Sequence, residues 1–467
     1  MLALTKSLLD EPGFKRMIAG IEAGVCPAVI SGLSEIHRAH AAAAVRASTM
    51  RPIVVLCAAE DEAARLALDI ATLTMEQAYT LNVREFTFHN AEVVSRQIEQ
   101  RRLAVLTALV ENKAPIVVMS ISAALQRTLT PGQLANASMT LKLGGTYDLE
   151  RLADRLVLCG YSRSDQVEGP GQFALRGGIL DFFSPVHDDP VRCEFFGDEL
   201  DSMGYFDVSS QRRTEELGEA RIAPVAETLP SLYGGTFGQG TAGLAKELEA
   251  HLSRLEKRRL INPTLLANIN SDIDRLHGAR SLPAADRYME LISPMATALD
   301  YLGENTIIIV NEPLRVKERA DGFLKMLAED CVALLESGEL ESGLVRFSED
   351  WEGLLYRIND YPVIMTDSFA GTAYPLRIRT SLSISSKRLP SYGGSFETAI
   401  SDIAHYKESK FRTVILCRDT RRAGLLREHL DERGINTVLD YSLQSLPDYG
   451  QCVVTVGDLS AGMEYTA

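Results

Sequence analysis

The sequence predicts an α/β protein in which a parallel-sheet domain is interrupted by a small β-rich insertion and followed by a further α/β domain. Three observations carry this. Between residues 25 and 122, short apolar runs alternate with segments of helical period, the pattern of a parallel sheet with crossover helices. After residue 123 the pattern changes to aromatic and branched runs separated by glycine turns. The run Thr306-Ile-Ile-Ile-Val310 and its charged helix then return to the first pattern. The chain has 467 residues, too many for one core when domains hold ~100–200 residues. The expected divisions are 1–122 and 214–345 for the interrupted domain, 123–213 for the insertion and 346–467 for the additional domain.

Residues 1–24 read as a helix, with Leu8, Phe14, Met17, Ile18 and Ile21 at helical spacing and Gly24 at its end. The strand Pro27-Ala-Val-Ile30 leads through Ser31-Gly32-Leu33 into a long helix carrying alanines from 39 to 47. Pro52–Cys57 is a buried strand, followed by the helix Glu60–Leu73, the helix Val93–Glu111 and the strand Pro115–Ile121. Leu149–Gly160 is a helix with arginines on its outer face.

Phe173–Pro185 reads as one strand with a bend or bulge at Gly177-Gly178, stopped at Ser184-Pro185 because proline cannot donate to a ladder. Period-two alternation places Arg176, Gly178, Leu180 and Phe182 on one face. An arginine beside apolar side chains on a sheet face is a frequent composition of protein-binding patches. The next strand alternates Val191, Cys193 and Phe195 against Arg192 and Glu194, then turns at Gly197-Asp198.

Tyr233–Gly243 is a glycine-rich loop, and Lys246–Leu260 an amphipathic helix. The basic end of that helix, Lys257-Arg258-Arg259, reads as a solvated terminus favoured by the helix dipole. From Trp351 a third unit is expected, with strands Pro362–Met365, Leu382–Ile384, Thr413–Cys417 and Cys452–Val456 and a helix Arg421–Arg433 closed by Gly434.

A net charge of −15 argues against wrapping duplex nucleic acid, which is driven by neutralising phosphates. No apolar run is long enough to cross a bilayer, so no membrane role is expected. Seven scattered cysteines form no C-x-x-C pair, which indicates neither a zinc site nor a disulfide framework and fits a reducing cytoplasm. The eight histidines lack metal spacing; His37 and His40 share a helix turn and read as an exposed face. Asp181 and Asp201 read as turn or ladder-end residues, and no Ser/His/Asp or Cys/His arrangement is evident.

One stretch carries a resemblance. The Arg176-Gly177 strand ends in aromatics and a proline, and Phe195-Phe196-Gly197-Asp198-Glu199 follows it. Upstream lies Gly160-Tyr161-Ser162-Arg163-Ser164-Asp165-Gln166-Val167, downstream Phe206-Asp207-Val208-Ser209-Ser210-Gln211-Arg212. Together these resemble the small inserted domain shared by the excision-repair protein UvrB and the transcription-repair coupling factor family, Mfd. The resemblance implies a degenerate RecA/helicase-like sheet domain around an insertion that binds UvrA, the damage-recognition ATPase of nucleotide excision repair. The matched interface positions are Arg163 and Arg176, with Leu180 as an apolar contact. Guanidinium forks pair bidentately with carboxylates and recur as hot spots; the alternative is that both arginines are ordinary solvated residues.

The resemblance also locates what is missing. In UvrB a nucleotide-binding loop occupies the place of Val29–Ile36. Such a loop needs glycines, a lysine for the phosphates and a hydroxyl for Mg²⁺. Here Gly32 remains, Glu35 stands at the lysine position and Ile36 at the hydroxyl position. Asn311 replaces the metal-binding aspartate and Glu312 is kept. Residues 74–89 lack the tyrosine-rich hairpin of UvrB, so the match is to Mfd. The expected function is a non-catalytic module recruiting UvrA in transcription-coupled repair; the alternative is a UvrB-like, ATP-dependent, helicase-like damage-binding domain. This segment would use no cofactor, with ATP and Mg²⁺ confined to the motor domains of the full-length protein. RNA polymerase and DNA would be engaged through domains outside it, and a distal C-terminal domain could contact it. The uncapped end, Leu459–Ala467, reads as a break within a longer protein.

Overall fold

Near-continuous β-branched runs form the middle of a seven-stranded, all-parallel sheet in a computed structural model that describes residues 2–89, 96–235, 237–257, 262–278, 280–371, 373–390 and 396–466. Its strand order is Thr380–Ser383, Ala28–Ser31, Val363–Asp367, Ile307–Asn311, Ile53–Cys57, Ile116–Ser120, Tyr79–Leu81. The central strands are buried on both faces, as crossover helices require. Ile53, Val55 and Ile309 point into one core with the helices Pro12–Glu22, Glu35–Thr49 and Glu60–Thr74. Val54, Leu56, Ile308 and Val310 point into the other, against Gln97–Val110, Gly240–Leu255, Pro263–His277, Pro313–Ser337 and Trp351–Ile358.

The divisions expected from the sequence move. Val363–Asp367 and Thr380–Ser383 pair with Ala28–Ser31 inside the main sheet, and Trp351 lies in its core. A third unit therefore does not begin near 346. The elements after Phe396 make a separate three-stranded parallel sheet, Thr413–Cys417, Cys452–Val456, Val438–Leu439, with the helices Phe396–Glu408 and Thr420–Glu432. A short Val-Ile-Met run reads alike in either sheet, so period alone could not assign it.

The insertion also starts later. The helices Ile121–Leu125 and Pro131–Ala137 pack in the parent core. The inserted unit opens and closes on a two-stranded stem, Met139–Lys142 against Glu219–Ile222. Beyond the stem lies an antiparallel sheet ordered Arg213–Glu216, Glu199–Phe206, Val191–Phe196, Ile179–Phe182, Gln172–Arg176, ending on the parallel edge strand Ser162–Arg163. One face packs on the helix Leu149–Leu158 through Leu152, Leu156, Phe173, Leu180, Phe182 and Cys193.

The first 24 residues form two helices, Leu2–Leu9 and Pro12–Glu22, because Pro12 begins a new helix that Glu11 caps. The expected loop at 233–243 is a tight turn, Pro230–Gly235, running into the helix from Gly240. Val93, Arg258 and Arg259 lie outside the described residues.

His37 and His40 are buried rather than exposed. A ribbon of Ser386–Arg388 paired with Met463–Tyr465 lies over their helix. His37 Nε2 sits 3.0 Å from the Glu464 carbonyl oxygen and His40 Nδ1 2.6 Å from the Tyr465 hydroxyl. The covering residues are more than 400 positions away in sequence, beyond the reach of local pattern.

Candidate functional site

Two places collect the residues singled out by sequence. The first is the carboxyl end of the parallel sheet, where open α/β folds bind ligands. Strand Ala28–Ser31 runs into Gly32, whose φ of +84° suits glycine. A Cβ there would also collide with the carbonyl oxygen of Ile384, and Ser386 Oγ donates to the Gly32 carbonyl at 2.5 Å. Ser34, at the N-cap of the next helix, lies 2.7 Å from His37 Nδ1 and makes no cap bond to the helix. Glu35 accepts from Arg65 at 2.9 Å, and Ile36 is buried.

Across the sheet, Asn311 Oδ1 accepts from Thr366 Oγ1 at 2.6 Å, while its Nδ2 has no partner among the described residues. Glu312 follows in the left-handed region at φ 47° and starts the helix Pro313–Ser337. Its carboxylate meets Arg38 at 3.1 Å, Arg315 at 2.5 Å and Ser368 Oγ at 2.8 Å. Burial opposes ionisation of Glu312, but Arg38 and the hydrogen bonds outweigh it and hold the carboxyl below its ordinary range. Glu62, 4.0 Å from Arg38, is pushed up by burial. The structure thus brings Gly32, Glu35, Ile36, Asn311 and Glu312 to one end of the sheet. It adds Arg38, which the sequence reading missed; its only local signal is its place one turn after Glu35 on an alanine-rich helix.

The second place is the outer face of the inserted sheet. Gly177, at φ +60°, and Gly178 form the two-residue turn of a hairpin, with Arg176 opposite Ile179 and Leu175 opposite Leu180. The expectation of one bent strand is therefore wrong. The turn reverses the chain, and directly opposed residues share a face. Leu180 joins Leu175, Phe173 and Phe182 on the core face and is fully buried. Arg176 lies on the other face with Ala174 and Asp181, so Leu180 is not beside it and is not an exposed contact.

Asp181, read from sequence as a ladder-end residue, is the hub of this face. Arg192 donates to it through Nε at 2.7 Å and Nη2 at 2.8 Å, a bidentate pair, and Arg176 Nη2 adds a third bond at 2.9 Å. The hydrogen bonds to Asp181, set against burial, hold the Arg192 guanidinium firmly protonated. That guanidinium lies 4.5 Å from the Phe206 ring and also donates to Gln211. Arg176 keeps half of its side chain in solvent, at 50% exposure, against 1% for Asp181. Arg163 is exposed on the edge strand, in register with Phe173 and so not in phase with Arg176. Arg192 and Phe196 were not singled out, although the period-two pattern of their strand already placed Arg192 opposite the apolar positions.

Comparisons with known proteins bear on the inserted unit and on the chain as a whole. Residues 139–227 match the UvrB interaction domain family, beginning at the first stem residue, Met139. Along a stretch that includes that segment, the chain is 28% identical over 460 residues to the transcription-repair-coupling factor of Bacillus subtilis, covering 97% of this chain and 38% of that protein. The chain is similar to transcription-repair-coupling factors along almost its whole length. Those of Staphylococcus aureus strain MRSA252 and Staphylococcus haemolyticus are each 25% identical, over 94% and 93% of this chain and 37% of their own length. The chain spans less than two fifths of these relatives. Among the described residues, no group of His, Cys, Asp and Glu could hold a metal ion and no helix is long and apolar enough to cross a membrane.

Proposed function

We propose that this chain is the UvrA-recruiting module of a transcription-repair-coupling factor and acts in transcription-coupled nucleotide excision repair without catalysis of its own. The observation that carries the reading is the UvrB interaction domain match over residues 139–227 together with Arg176, half in solvent at the rim of a carboxylate-anchored arginine pair. Asp181 takes one N–H of Arg176 and leaves the remaining donors for an acceptor on the partner. Arg163 would add a second guanidinium at the sheet edge. Leu180 would support the interface from beneath, through the core.

We infer further that the carboxyl end of the main sheet holds no nucleotide. The space a phosphate loop needs at Gly32 is taken by Ile384 and Ser386. The acid that could approach a metal, Glu312, is neutralised by Arg38 and Arg315. A carboxylate at Glu35 repels a triphosphate. No ATP or Mg²⁺ is therefore assigned to this segment; RNA polymerase, DNA and ATP would be engaged by other parts of the full-length protein. A distal C-terminal domain would contact it intramolecularly. A cytoplasmic setting follows from this role.

Titration calorimetry of the chain against UvrA tests the reading, with Arg176→Ala and the Arg163→Ala/Arg176→Ala double variant alongside. Saturable binding is expected, weakened by the single change and abolished by the double one, with the far-UV spectrum unchanged. Loss of one interfacial arginine costs about 2 kcal/mol or more at a hot spot, roughly thirtyfold in Kd. A folded wild-type chain that fails to bind UvrA would overturn it, and measurable ATP turnover would overturn the non-catalytic part.

A further inference from the structure

Phe196 is 84% exposed, more than any other large apolar residue on the described surface. Strand parity explains its direction. Val191, Cys193 and Phe195 point to the core, with Phe195 edge-on to Tyr147 at 6.5 Å, so Phe196 points out with Arg192 and Glu194. Its strand ends there, at the turn Gly197-Asp198. The adjacent hairpin turn offers no side chain to cover it. Gly178 must stay bare because a Cβ would come within 2.8 Å of the Phe195 carbonyl oxygen. Ile179, opposite Glu194 in register and opposite Arg176 across the hairpin, is an apolar residue on the same face, on the neighbouring strand.

We propose that Phe196 is the apolar anchor of the UvrA interface, with Ile179 and Arg176 completing one patch at the glycine-turn end of the inserted sheet. The inference rests on the UvrA reading above and names the chemistry UvrA must present: an apolar pocket with a carboxylate at its rim. Two features favour this occupant. The patch shares the outer face and the turn end of the sheet with Arg176, which stands opposite Ile179, and Arg176 keeps most of its donors unengaged. Arginine next to an aromatic in a pocket is the composition that dominates interface hot spots. Phe196 thereby takes the contact role that the resemblance implies for Leu180.

The test is titration of UvrA with wild type, Phe196→Ser, Phe196→Leu, Arg176→Ala and, as a control on the helix Glu60–Thr74, Leu68→Ser. An exposed position should tolerate serine, and a melting curve checks this. Phe196→Ser is expected to weaken UvrA binding by about 10- to 100-fold, Phe196→Leu to restore most of it, and Leu68→Ser to leave it unchanged. Wild type that binds UvrA, is weakened by Arg176→Ala and is indifferent to Phe196→Ser would overturn the anchor and leave the recruitment reading standing. Wild type that does not bind UvrA overturns both. Sedimentation of the same proteins covers the other occupant: concentration-dependent dimers lost in Phe196→Ser, with UvrA affinity intact, would assign the patch to a second copy of the chain and overturn the proposal.

Discussion

Glu312 at the end of the parallel sheet and Asp181 on the inserted sheet are built alike and used differently. Each is a carboxylate held between two arginines, one the more buried and one reaching solvent. Glu312 has Arg38 at 6% exposure and Arg315 at 58%; Asp181 has Arg192 at 17% and Arg176 at 50%. Around Glu312 the charges close on themselves, through Arg38 to Glu62 and, beside them, from Glu35 through Arg65 to Asp61. A ribbon from the far end of the chain lies over the neighbouring loop and helix. Around Asp181 the network stops at Arg176, and the turn beside it, Gly177-Gly178, is exposed among the described residues. A covered network whose charges pair with one another makes a rigid end to a sheet, whereas one that ends in solvent leaves a directed cation for a partner.

The largest effect is expected where a largely buried arginine loses the carboxylate that both its Nε and Nη2 reach. Asp181→Ala leaves Arg192 mostly buried and unpaired, which costs about 4 kcal/mol. Urea unfolding should show the inserted domain melting early, ahead of the parent sheet. A single unfolding transition with an unchanged midpoint would mean that Asp181 is not the hub.

Arg38→Met tests the other site and should cost somewhat less, about 3 kcal/mol. Glu312 keeps Arg315 and Ser368, and Glu62, already pushed up by burial, can take a proton. The same variant sharpens the comparison. If Arg38 alone excluded nucleotide, removing it would let a fluorescent ATP analogue bind. The collision at Gly32 is untouched, so no binding is expected, and saturable binding would move the block from the backbone to the side chain.

How much of this was legible follows from the distance over which each feature is determined. Ile53–Cys57, Ile116–Ser120 and Ile307–Asn311 were readable because a run of β-branched residues between helices has few other uses. The assignment of Val363–Asp367 failed because strand neighbours are chosen by topology rather than by the strand's own residues. The face of Leu180 failed for a more local reason. Counting by twos through Gly177-Gly178 presumes that the chain continues, and a turn there exchanges inside for outside. Arg163 and Arg176 were found through a resemblance; the carboxylate that anchors Arg176, Asp181, and its other partner Arg192 were visible only once the register was known. Arg38, His37 and His40 were unreadable in role because their partners are far away in the chain.

The smallest of the three effects comes from acid and separates the two sites again. His40 is neutral and buried beneath Tyr465, and burial lowers its pKa from 6.5 to about 4. His37 is lowered in the same direction by burial, offset in part by the Glu464 carbonyl. A histidine depressed in the folded state binds its proton more readily when unfolded. The fold therefore keeps its full stability above pH 6.5 and loses it as pH falls from 6.5 towards 4. His40 alone accounts for about 2 kcal/mol by pH 5. The loss should appear first where the 463–465 ribbon lies on the helix Glu35–Thr49, read as faster amide exchange there. Amides of the inserted sheet around Asp181, which faces arginines rather than histidines, should stay protected. His40→Gln should flatten the stability profile over that window. A profile as steep as wild type would show that the acid sensitivity arises from the carboxylates and that the ribbon is held by packing alone.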